Sequence, residues 1–509
     1  MVFSSPIFLF LFLPVTLVLY LLLPGLRLRN LWLLAVSLLF YAWGEAAFVL
    51  LIFVSTMVNY GLGLWVESGA GTSRRKWGVV LAVVFNLGLL GFFKYGNFLV
   101  ENLNLLARPL HLGAVHLGKV RLPIGISFFT FHALSYIIDI YRGKMPAARR
   151  PSDMALYIFF FPQLVAGPIL RWGAMAPQIA GRIASLDGFW EGIRRFVQGL
   201  AKKTLVANTV AAAADRVFSL SPDALSLPMA WVGVVCYTLQ IYFDFSGYSD
   251  MAIGLGRMFG FTFMENFDHP YIAQSIKDFW RRWHISLSSW FRDYLYVPLG
   301  GNRCSAARNY ANLLVVFLLC GLWHGAAWTF VVWGLYHGLF LVLERTRFGS
   351  WLESFPRPLR HAYALAVVMV GWVIFRADTW PQAVAYLRAL LGLGPVAGLT
   401  PTADVFLTIG TVFGLTGEDT ISQIAATNQI PLAVLTHQVV WAMLAGIVFS
   451  TPFASWFKHE VLRTSPEPLR PAIRLAGILA EPVALSALLV VSAAWLADGT
   501  YNPFIYFRF

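Results

Sequence analysis

Long apolar runs follow one another through most of this chain and constrain what it can fold into. Hydrophobic residues make up 58% of its 509 residues and charged residues only 12%, against about 25% charged in soluble domains. A soluble fold of this size could not bury so much apolar surface, so lipid must be the solvent for much of it. Because helices satisfy their backbone hydrogen bonds internally, we predict an all-α polytopic membrane protein, with residues 1–509 as one domain.

The positions of lysine and arginine indicate how the runs are oriented. With twelve spans and an outside N-terminus, the loops assigned to the inside hold 30 of the 38 basic residues, as the positive-inside rule requires. The net charge of +13 therefore belongs to the flanks of apolar runs, and we expect membrane lipid rather than nucleic acid as the partner. The predicted spans are 6–24, 30–43, 47–66, 77–95, 122–141, 197–219, 229–256, 309–322, 328–344, 360–376, 432–450 and 475–497.

Two further stretches are apolar without forming regular spans. Residues 155–170 contain Pro162, Gly167 and Pro168 and have basic clusters on both sides, so we predict a re-entrant segment rather than a crossing. The outside stretch 392–431 contains short amphipathic pieces. We predict that it lies on the membrane surface or dips into it.

Residues 272–297 are too polar to cross the membrane, and on one helical wheel they form an amphipathic helix with an apolar side. The opposite side carries Lys277, Arg281, His284, Ser288 and Arg292. This basic face could belong to an interfacial helix whose arginines contact lipid phosphate. We favour the alternative that, together with Arg282, it lines the mouth of a cavity and binds an anionic donor such as a CoA-type thioester.

His324 is a different kind of polar residue, because it lies deep in an apolar run. It is sixteen residues beyond Arg308, which corresponds to about 24 Å along a helix. Small residues at 321 and 325–327 would let neighbouring helices approach closely. A neutral imidazole there could take a proton from an acceptor hydroxyl, or it could be a packing residue. His337 is interpreted as structural, and His132 has no assigned role.

A polar segment interrupts the apolar span 229–256. It carries Asp244, Ser246, Tyr248 and Asp250, and unpaired carboxylates at such a depth would be costly. These side chains either orient a catalytic imidazole or form a purely structural hydrogen-bond network, and the sequence leaves both open.

Other kinds of site are not indicated. The three cysteines, Cys236, Cys304 and Cys320, form neither a disulfide framework nor a metal-ligand spacing. The sequence contains no phosphate-binding loop and no Gly-x-Ser-x-Gly elbow, so we predict no metal and no bound cofactor. A transporter with proton-relaying histidines is an alternative class, but it would predict inverted repeats, and none is visible in the sequence.

A set of motifs spread over the whole chain resembles those of one known family. The motifs are 279–284 (Phe-Trp-Arg-Arg-Trp-His), 292–293, 298–302, 321–325 (Gly-Leu-Trp-His-Gly), 122–130, 161–168, 242–250 and the two chain ends, 1–14 and 502–509. In combination they are similar to the membrane-bound O-acyltransferase (MBOAT) family, and within it to the bacterial branch that O-acetylates alginate.

By this resemblance, His324 takes the position of the family's catalytic histidine and His284 the second polar position. The fold implied is a ring of membrane helices around a central tunnel. The activity implied is acetyl transfer from acetyl-CoA or another cytoplasmic thioester, across a bacterial inner membrane, to an exopolysaccharide such as alginate. Periplasmic acetyltransferase partners would complete the modification. Acetylation of cellulose or peptidoglycan, or D-alanylation of teichoic acid, are alternatives.

Overall fold

The computed structural model describes residues 1–394, 434–498 and 501–503. All regular secondary structure in these residues is helical, which confirms the all-α prediction. The predicted surface stretch 392–431 lies outside the described residues except for 392–394, so that prediction stays open.

Residues 1–226 form ten α-helices, and π-helical turns continue some of them. In chain order these are α1 (Leu13–Leu22), α2 (Leu26–Ser68), α3 (Ser73–Leu90), α4 (Gly96–Ala107), α5 (Ile126–Tyr141), α6 (Pro151–Phe159), α7 (Phe161–Leu164), α8 (Trp172–Gly181), α9 (Leu186–Ala201) and α10 (Asn208–Phe218). The π-helical turns are Phe8–Phe12, Gly91–Tyr95 and Lys202–Ala207.

The remainder of the described chain continues with α11 to α21. In chain order these are α11 (Leu227–Met258), α12 (Ile276–Arg282), α13 (Ile285–Phe291), α14 (Ala306–His324), α15 (Trp328–Leu343), α16 (Arg347–Glu353), α17 (Arg357–Arg376), α18 (Trp380–Leu390), α19 (His437–Phe449), α20 (Phe453–Thr464) and α21 (Arg470–Ala497). One further π-helical turn, Arg292–Tyr296, follows α13.

Several of these helices are long and apolar enough to cross a membrane. Among the described residues five qualify by length and composition, and the bent pair α19 and α20 would add a sixth. Three shorter apolar helices, Phe8–Leu22, α5 and α15, coincide with predicted spans as well. The predicted spans 197–219 and 229–256 form α9–α10 and α11, where internal charges such as Lys203 and Asp244 reduce the apolar character. The chain is a multi-pass membrane protein, and the number of twelve crossings stays a prediction.

The predicted spans 30–43 and 47–66 are two arms of one long element, α2. Only Glu45 interrupts its helical backbone, with φ −139° and ψ 44°. The Glu45 side chain is buried and forms a salt bridge with Arg121, with 3.0 Å between Glu45 Oε1 and Arg121 Nη2. The polar interruption in the sequence therefore marks a kink inside the protein rather than a loop between two separate helices.

The predicted re-entrant segment 155–170 is irregular, as its proline and glycine residues indicate. α6 ends at Phe159, and Phe160 leaves the helical region with φ −50° and ψ 110°. Pro162 lies in the first turn of α7, where its missing N–H has no helical partner to lose. Every residue of the segment except Val165 is buried. Protein therefore surrounds this backbone, which is the condition for tolerating it at membrane depth.

α11 lies at the centre of the described core, and α9 packs closely along it. A Cβ atom on Gly199 would lie 2.6 Å from the Gly247 carbonyl oxygen, and one on Gly254 would lie 2.6 Å from the Gly192 carbonyl oxygen. The two helices thus pack backbone to backbone, which only small residues allow.

The ion pairs agree with the predicted arrangement of loops on two sides. Arg121–Glu45 joins two predicted outside loops, and Arg376–Asp215 joins the predicted outer ends of two spans, whereas Arg149–Glu67 and Arg171–Asp293 join residues assigned to the inside. No ion pair among the described residues joins a predicted inside loop to a predicted outside loop. The pairing supports two distinct faces, and the assignment of one of them to the cytoplasm stays a prediction.

Candidate active site

α14 and α15 form a tight hairpin that presents His324. α14 begins after Ser305, whose hydroxyl caps the helix by accepting from the Arg308 N–H, and it ends at His324 because Gly325 is extended. A Cβ on Gly321 would lie 2.2 Å from the Phe330 carbonyl oxygen. The two backbones therefore touch, as the small residues of the sequence predict. His324 lies eighteen residues, or about 27 Å, from the start of α14.

Aromatic rings hold the His324 imidazole. Trp323, Trp333 and Phe375 stand roughly perpendicular to it, with ring centroids 4.8, 5.0 and 5.3 Å away. The side chain is only 6% exposed, and its Nδ1 atom is buried without a hydrogen-bond partner in the described part of the chain. Packing rather than hydrogen bonding thus fixes the ring, and its polar atoms remain available to a ligand.

The prediction that His284 lies on a continuous basic helical face is wrong. α12 ends at Arg282, His284 takes a left-handed conformation with φ 43° and ψ 55°, and α13 begins at Ile285. One left-handed residue resets the helical phase, so the wheel that joined His284 to Arg281 and Arg292 does not apply. His284 is 1% exposed and lies inside the protein instead.

Asn266 holds His284 in this conformation, and sequence reasoning missed it. Its side-chain oxygen lies 3.1 Å from His284 Nδ1 and accepts from the Ser286 hydroxyl at 2.9 Å. Its side-chain nitrogen donates to Ser249 at 3.0 Å. Because an amide oxygen only accepts, His284 Nδ1 must carry a proton, which leaves Nε2 of a neutral imidazole as an acceptor. That Nε2 is buried without a hydrogen-bond partner among the described residues.

The two histidines approach the same tryptophan from different elements. The Trp323 ring lies 4.8 Å from the His324 ring and 6.2 Å from the His284 ring, centroid to centroid. Each imidazole has a buried nitrogen that no other described group contacts by hydrogen bond. The structure therefore brings together the two histidines that sequence analysis singled out, although their catalytic roles remain a proposal.

A cavity of about 180 Å³ opens beside His324. We call it the His324 cavity, and its lining consists of Lys94, residues 122–128, Val165, Trp323 and His324. Residues 122–128 belong to the motif that leads into α5 and forms its first residues, and Val165 belongs to the buried irregular segment. Two motifs without a role in the sequence analysis thus form walls of one cavity with the histidine.

Lys94 and Tyr95 cap the C-terminal end of α14 by donating hydrogen bonds to its last carbonyl oxygens. The Lys94 ammonium donates to the carbonyl oxygens of Trp323 and His324, the second at 3.1 Å, and the Tyr95 hydroxyl donates to the Leu322 oxygen at 2.5 Å. These carbonyls are among the last of α14 and lack helical partners. No sequence feature indicates this contact, since Lys94 is an isolated basic residue at the end of a predicted span.

A second cavity, of about 370 Å³, carries most of the predicted donor-binding residues. We call it the basic cavity: Lys277, Arg281, Arg292 and Arg345 provide its positive charge, and apolar side chains such as Phe317 form much of its wall. It reaches Cys320, which is one helical turn, or about 6 Å, before His324. Both cavities thus contact α14 near its end, and a continuous tunnel between them stays a prediction.

Arg282 does not line the basic cavity, contrary to the prediction. Its guanidinium contacts Asp278 at 3.1 Å and Asp268 at 3.2 Å. The reason is the end of α12: Arg282 precedes the reversal at His284 and turns towards the loop that carries Asp268. Arg345, which follows α15, takes its place in the cavity and donates to Asn302 at 3.1 Å.

Two carboxylates fix the basic elements around this cavity. Glu344 accepts from the backbone N–H groups of Ile276 and Lys277 at 2.6 and 2.9 Å. Asp293 pairs with Arg171 and Arg292, both at 2.7 Å. Burial alone would raise the pKa of Asp293, but the hydrogen bond from Arg292 and the charge of Arg171 lower it.

The polar segment of α11 supports the site through Ser249 rather than through its carboxylates. Asp244 pairs with buried Lys203 at 2.6 Å, and Asp250 pairs with Lys202 at 2.6 Å and Arg195 at 2.8 Å. These ion pairs favour the structural alternative for both carboxylates. The remaining predicted members of the network are both buried in the core: Ser246, and Tyr248, whose ring stacks on Phe3 at 4.7 Å.

Comparison with known proteins agrees with the resemblance. The model of the membrane-bound O-acyltransferase family matches residues 147–377, which include both histidines and the basic cavity. The Azotobacter vinelandii protein named "Probable alginate O-acetylase AlgI" is 42% identical over 526 aligned residues, covering 100% of both chains. The peptidoglycan O-acetyltransferase of Helicobacter pylori is 36% identical, over 80% of this chain and 83% of its own.

A more distant relative shares about half of the chain. The teichoic acid D-alanyltransferase of Bacillus subtilis is 28% identical, over 46% of this chain and 61% of its own. The full-length similarity to the first relative decides the assignment. This chain belongs to the membrane-bound O-acyltransferase family and is an acyltransferase.

Proposed function

We propose that this protein transfers acetyl groups from a thioester in the basic cavity to a hydroxyl acceptor in the His324 cavity, and that alginate is the polymer finally acetylated. The observation that carries the proposal is the position of His324, which lines one cavity and lies one helical turn from the end of the other. The choice of alginate rests on the names of the relatives that are 42% identical over the whole chain.

The basic cavity suits an anionic thioester such as acetyl-CoA. Arg281 is exposed and makes no ion pair among the described residues, so its guanidinium is available to phosphate. The apolar wall beyond it would accept the pantetheine arm and direct the acetyl group towards Cys320 and the end of α14. No metal or bound cofactor is required for this chemistry.

His324 would act as the general base. It takes the proton of the acceptor hydroxyl as the oxygen attacks the thioester carbonyl carbon, and the collapse of the tetrahedral intermediate breaks the C–S bond. The departing thiolate then receives that proton from the imidazolium. His284, whose Nε2 has no hydrogen-bond partner in the part of the chain that the structure describes, would hold the acceptor hydroxyl or the protonated His324 in position.

The predicted topology assigns the two cavities to opposite membrane faces. We propose that the basic cavity faces the cytoplasm, the His324 cavity faces the periplasm, and the protein lies in a bacterial inner membrane with its N-terminus outside. Basic residues concentrate on the first face, as expected for a cytoplasmic surface. Periplasmic acetyltransferase partners would then carry the acetyl group onward to the polymer.

Transfer by the purified protein in sealed proteoliposomes tests this proposal. With radiolabelled acetyl-CoA supplied only on the side of the basic cavity, label should appear in alginate or in a periplasmic partner on the other side. The same vesicles given peptidoglycan fragments or D-alanyl thioesters serve as the comparison for the other relatives. Label transfer only to peptidoglycan would reject alginate, and absence of thioester cleavage with every acceptor would reject the acetyltransferase assignment.

A further inference from the structure

Lys94 is a cation in the wall of the His324 cavity, outside the part of the chain that the family model matches. It lies on the π-helical turn Gly91–Tyr95. Its Nζ donates to the backbone oxygens of Trp323 and His324, and it lies 5.8 Å from the centroid of the Trp323 ring. The ammonium is thus held against the residue that we propose as the base.

No carboxylate pairs with Lys94 among the described residues. Lys203, also within a helical core, pairs with Asp244 at 2.6 Å, and Lys202 pairs with Asp250 at 2.6 Å. An ammonium group at membrane depth is costly without a partner. At Lys94 the compensation within the described residues comes from carbonyls at the negative end of α14 and from the face of the Trp323 ring. The charge therefore lacks the structural explanation that applies to the other two lysines.

An ammonium group has three N–H donors, and the two backbone oxygens occupy two of them at Lys94. One donor remains for a ligand in the same cavity. The group that becomes negative during acyl transfer is the carbonyl oxygen of the thioester, and it must come within reach of His324 for the reaction to occur.

We propose that Lys94 is a further catalytic residue that donates its third N–H to this oxygen and stabilises the oxyanion. The inference rests on the acyl transfer proposed above. The acceptor oxygen forms a bond to the carbonyl carbon, the π electrons move to the oxygen beside Lys94, and His324 receives the hydroxyl proton. When the electrons return, the C–S bond breaks and the thiolate takes the proton from His324. The step uses the ammonium form of Lys94, which keeps its three protons throughout.

The variants Lys94→Met and Tyr95→Phe separate catalysis from capping of the helix. Tyr95 caps the same end of α14 through the Leu322 oxygen, but it does not line the His324 cavity, so Tyr95→Phe removes a cap and leaves the cavity charge intact. Removal of one oxyanion donor lowers kcat by about 10²–10³-fold in well-studied enzymes. We expect a loss of this size for Lys94→Met at saturating acetyl-CoA, an unchanged KM for the donor, and at most about a 3-fold loss for Tyr95→Phe.

Lys94→Gln extends the test if the methionine variant does not fold, because its amide N–H can still reach the backbone oxygens without a charge. We expect it to lose at least about 10-fold in kcat. Parent-like turnover of either Lys94 variant would overturn the proposal, as would an equal loss in Tyr95→Phe. If the parent protein itself cleaves no thioester, the proposed function fails, whereas an active parent with an active Lys94→Met variant rejects only the role of Lys94.

Discussion

Arg281, Arg282 and Arg292 lie close together in the sequence, but the structure gives them different surroundings. Arg281 and Arg292 line the basic cavity, whereas Arg282 pairs with Asp278 and Asp268 outside it. We therefore predict that Arg281→Ala weakens use of acetyl-CoA and that Arg282→Ala does not. Arg282→Ala removes the same charge one residue away, so it is the matched control.

The expected increase in KM depends on the exposure and the ion pairs of each guanidinium before the donor binds. A hydrogen bond to a charged group contributes about 1.5–3 kcal/mol, and about 1.4 kcal/mol corresponds to a factor of ten. Arg281 is solvent-exposed before the donor binds, so we take the lower limit, which is about a 10-fold increase in KM. Arg292 should give a smaller increase, because it already pairs with Asp293 at 2.7 Å.

The assay is the acetyl-CoA dependence of initial rates for the three variants in detergent or in proteoliposomes. A contact that stabilises the bound donor and the transition state equally affects only binding, so its loss raises KM while kcat stays near that of the parent. Added salt should raise the KM of the parent protein in the same way, because it screens the charges. Equal KM values for Arg281→Ala and Arg282→Ala would refute the assignment of the basic cavity to the donor.

Further predictions concern the support of the site. Asn266→Ala should lower kcat by about 10-fold or more, because His284 loses the group that fixes its tautomer, and single-turnover rates would show this. Gly321→Ala should lower the unfolding temperature, since its Cβ would lie 2.2 Å from the Phe330 oxygen; Gly61→Ala, with no neighbour within 4 Å, is the control. Lys203→Met should destabilise the fold by about 3–5 kcal/mol, and adding Asp244→Leu should recover part of the loss in thermal unfolding.

Hydropathy predicted the long apolar helices of the described chain, whereas shorter ones such as α8, α16 and α18 were not predicted. Hydropathy is averaged over about twenty residues, so a single polar residue within a span changes it little. The kink of α2 at Glu45 shows the limit of prediction from hydropathy. The same polar residue could mark a loop between two helices or a buried ion pair with Arg121. Only the partner, 76 residues away in the chain, decides between the two.

The surroundings of the two histidines show the same limit of sequence-based prediction for individual side chains. A helical wheel assumes one uninterrupted helix, and the left-handed conformation of His284 breaks that assumption. The residues next to His284 do not predict this conformation, because the stabilising contacts come from Asn266, 18 residues earlier in the chain. Lys94 and the glycine contacts of α14 likewise depend on which helices are neighbours. The sequence identified the two histidines, and their surroundings required the tertiary structure.

We propose that His324 removes the proton of the acceptor hydroxyl, and a comparison of His324→Gln with His337→Gln is the most stringent test of this role. His337 is also a buried histidine, on the neighbouring helix α15, and its ring packs against Trp280 and Trp333. The measurement is the single-turnover rate of acetyl transfer at saturating donor, with donor affinity determined in parallel. We predict a loss of at least about 10²-fold for His324→Gln with unchanged donor affinity, and a much smaller loss for His337→Gln. A folded His324→Gln protein that transfers acetyl groups at nearly the parental rate would rule out this role for His324.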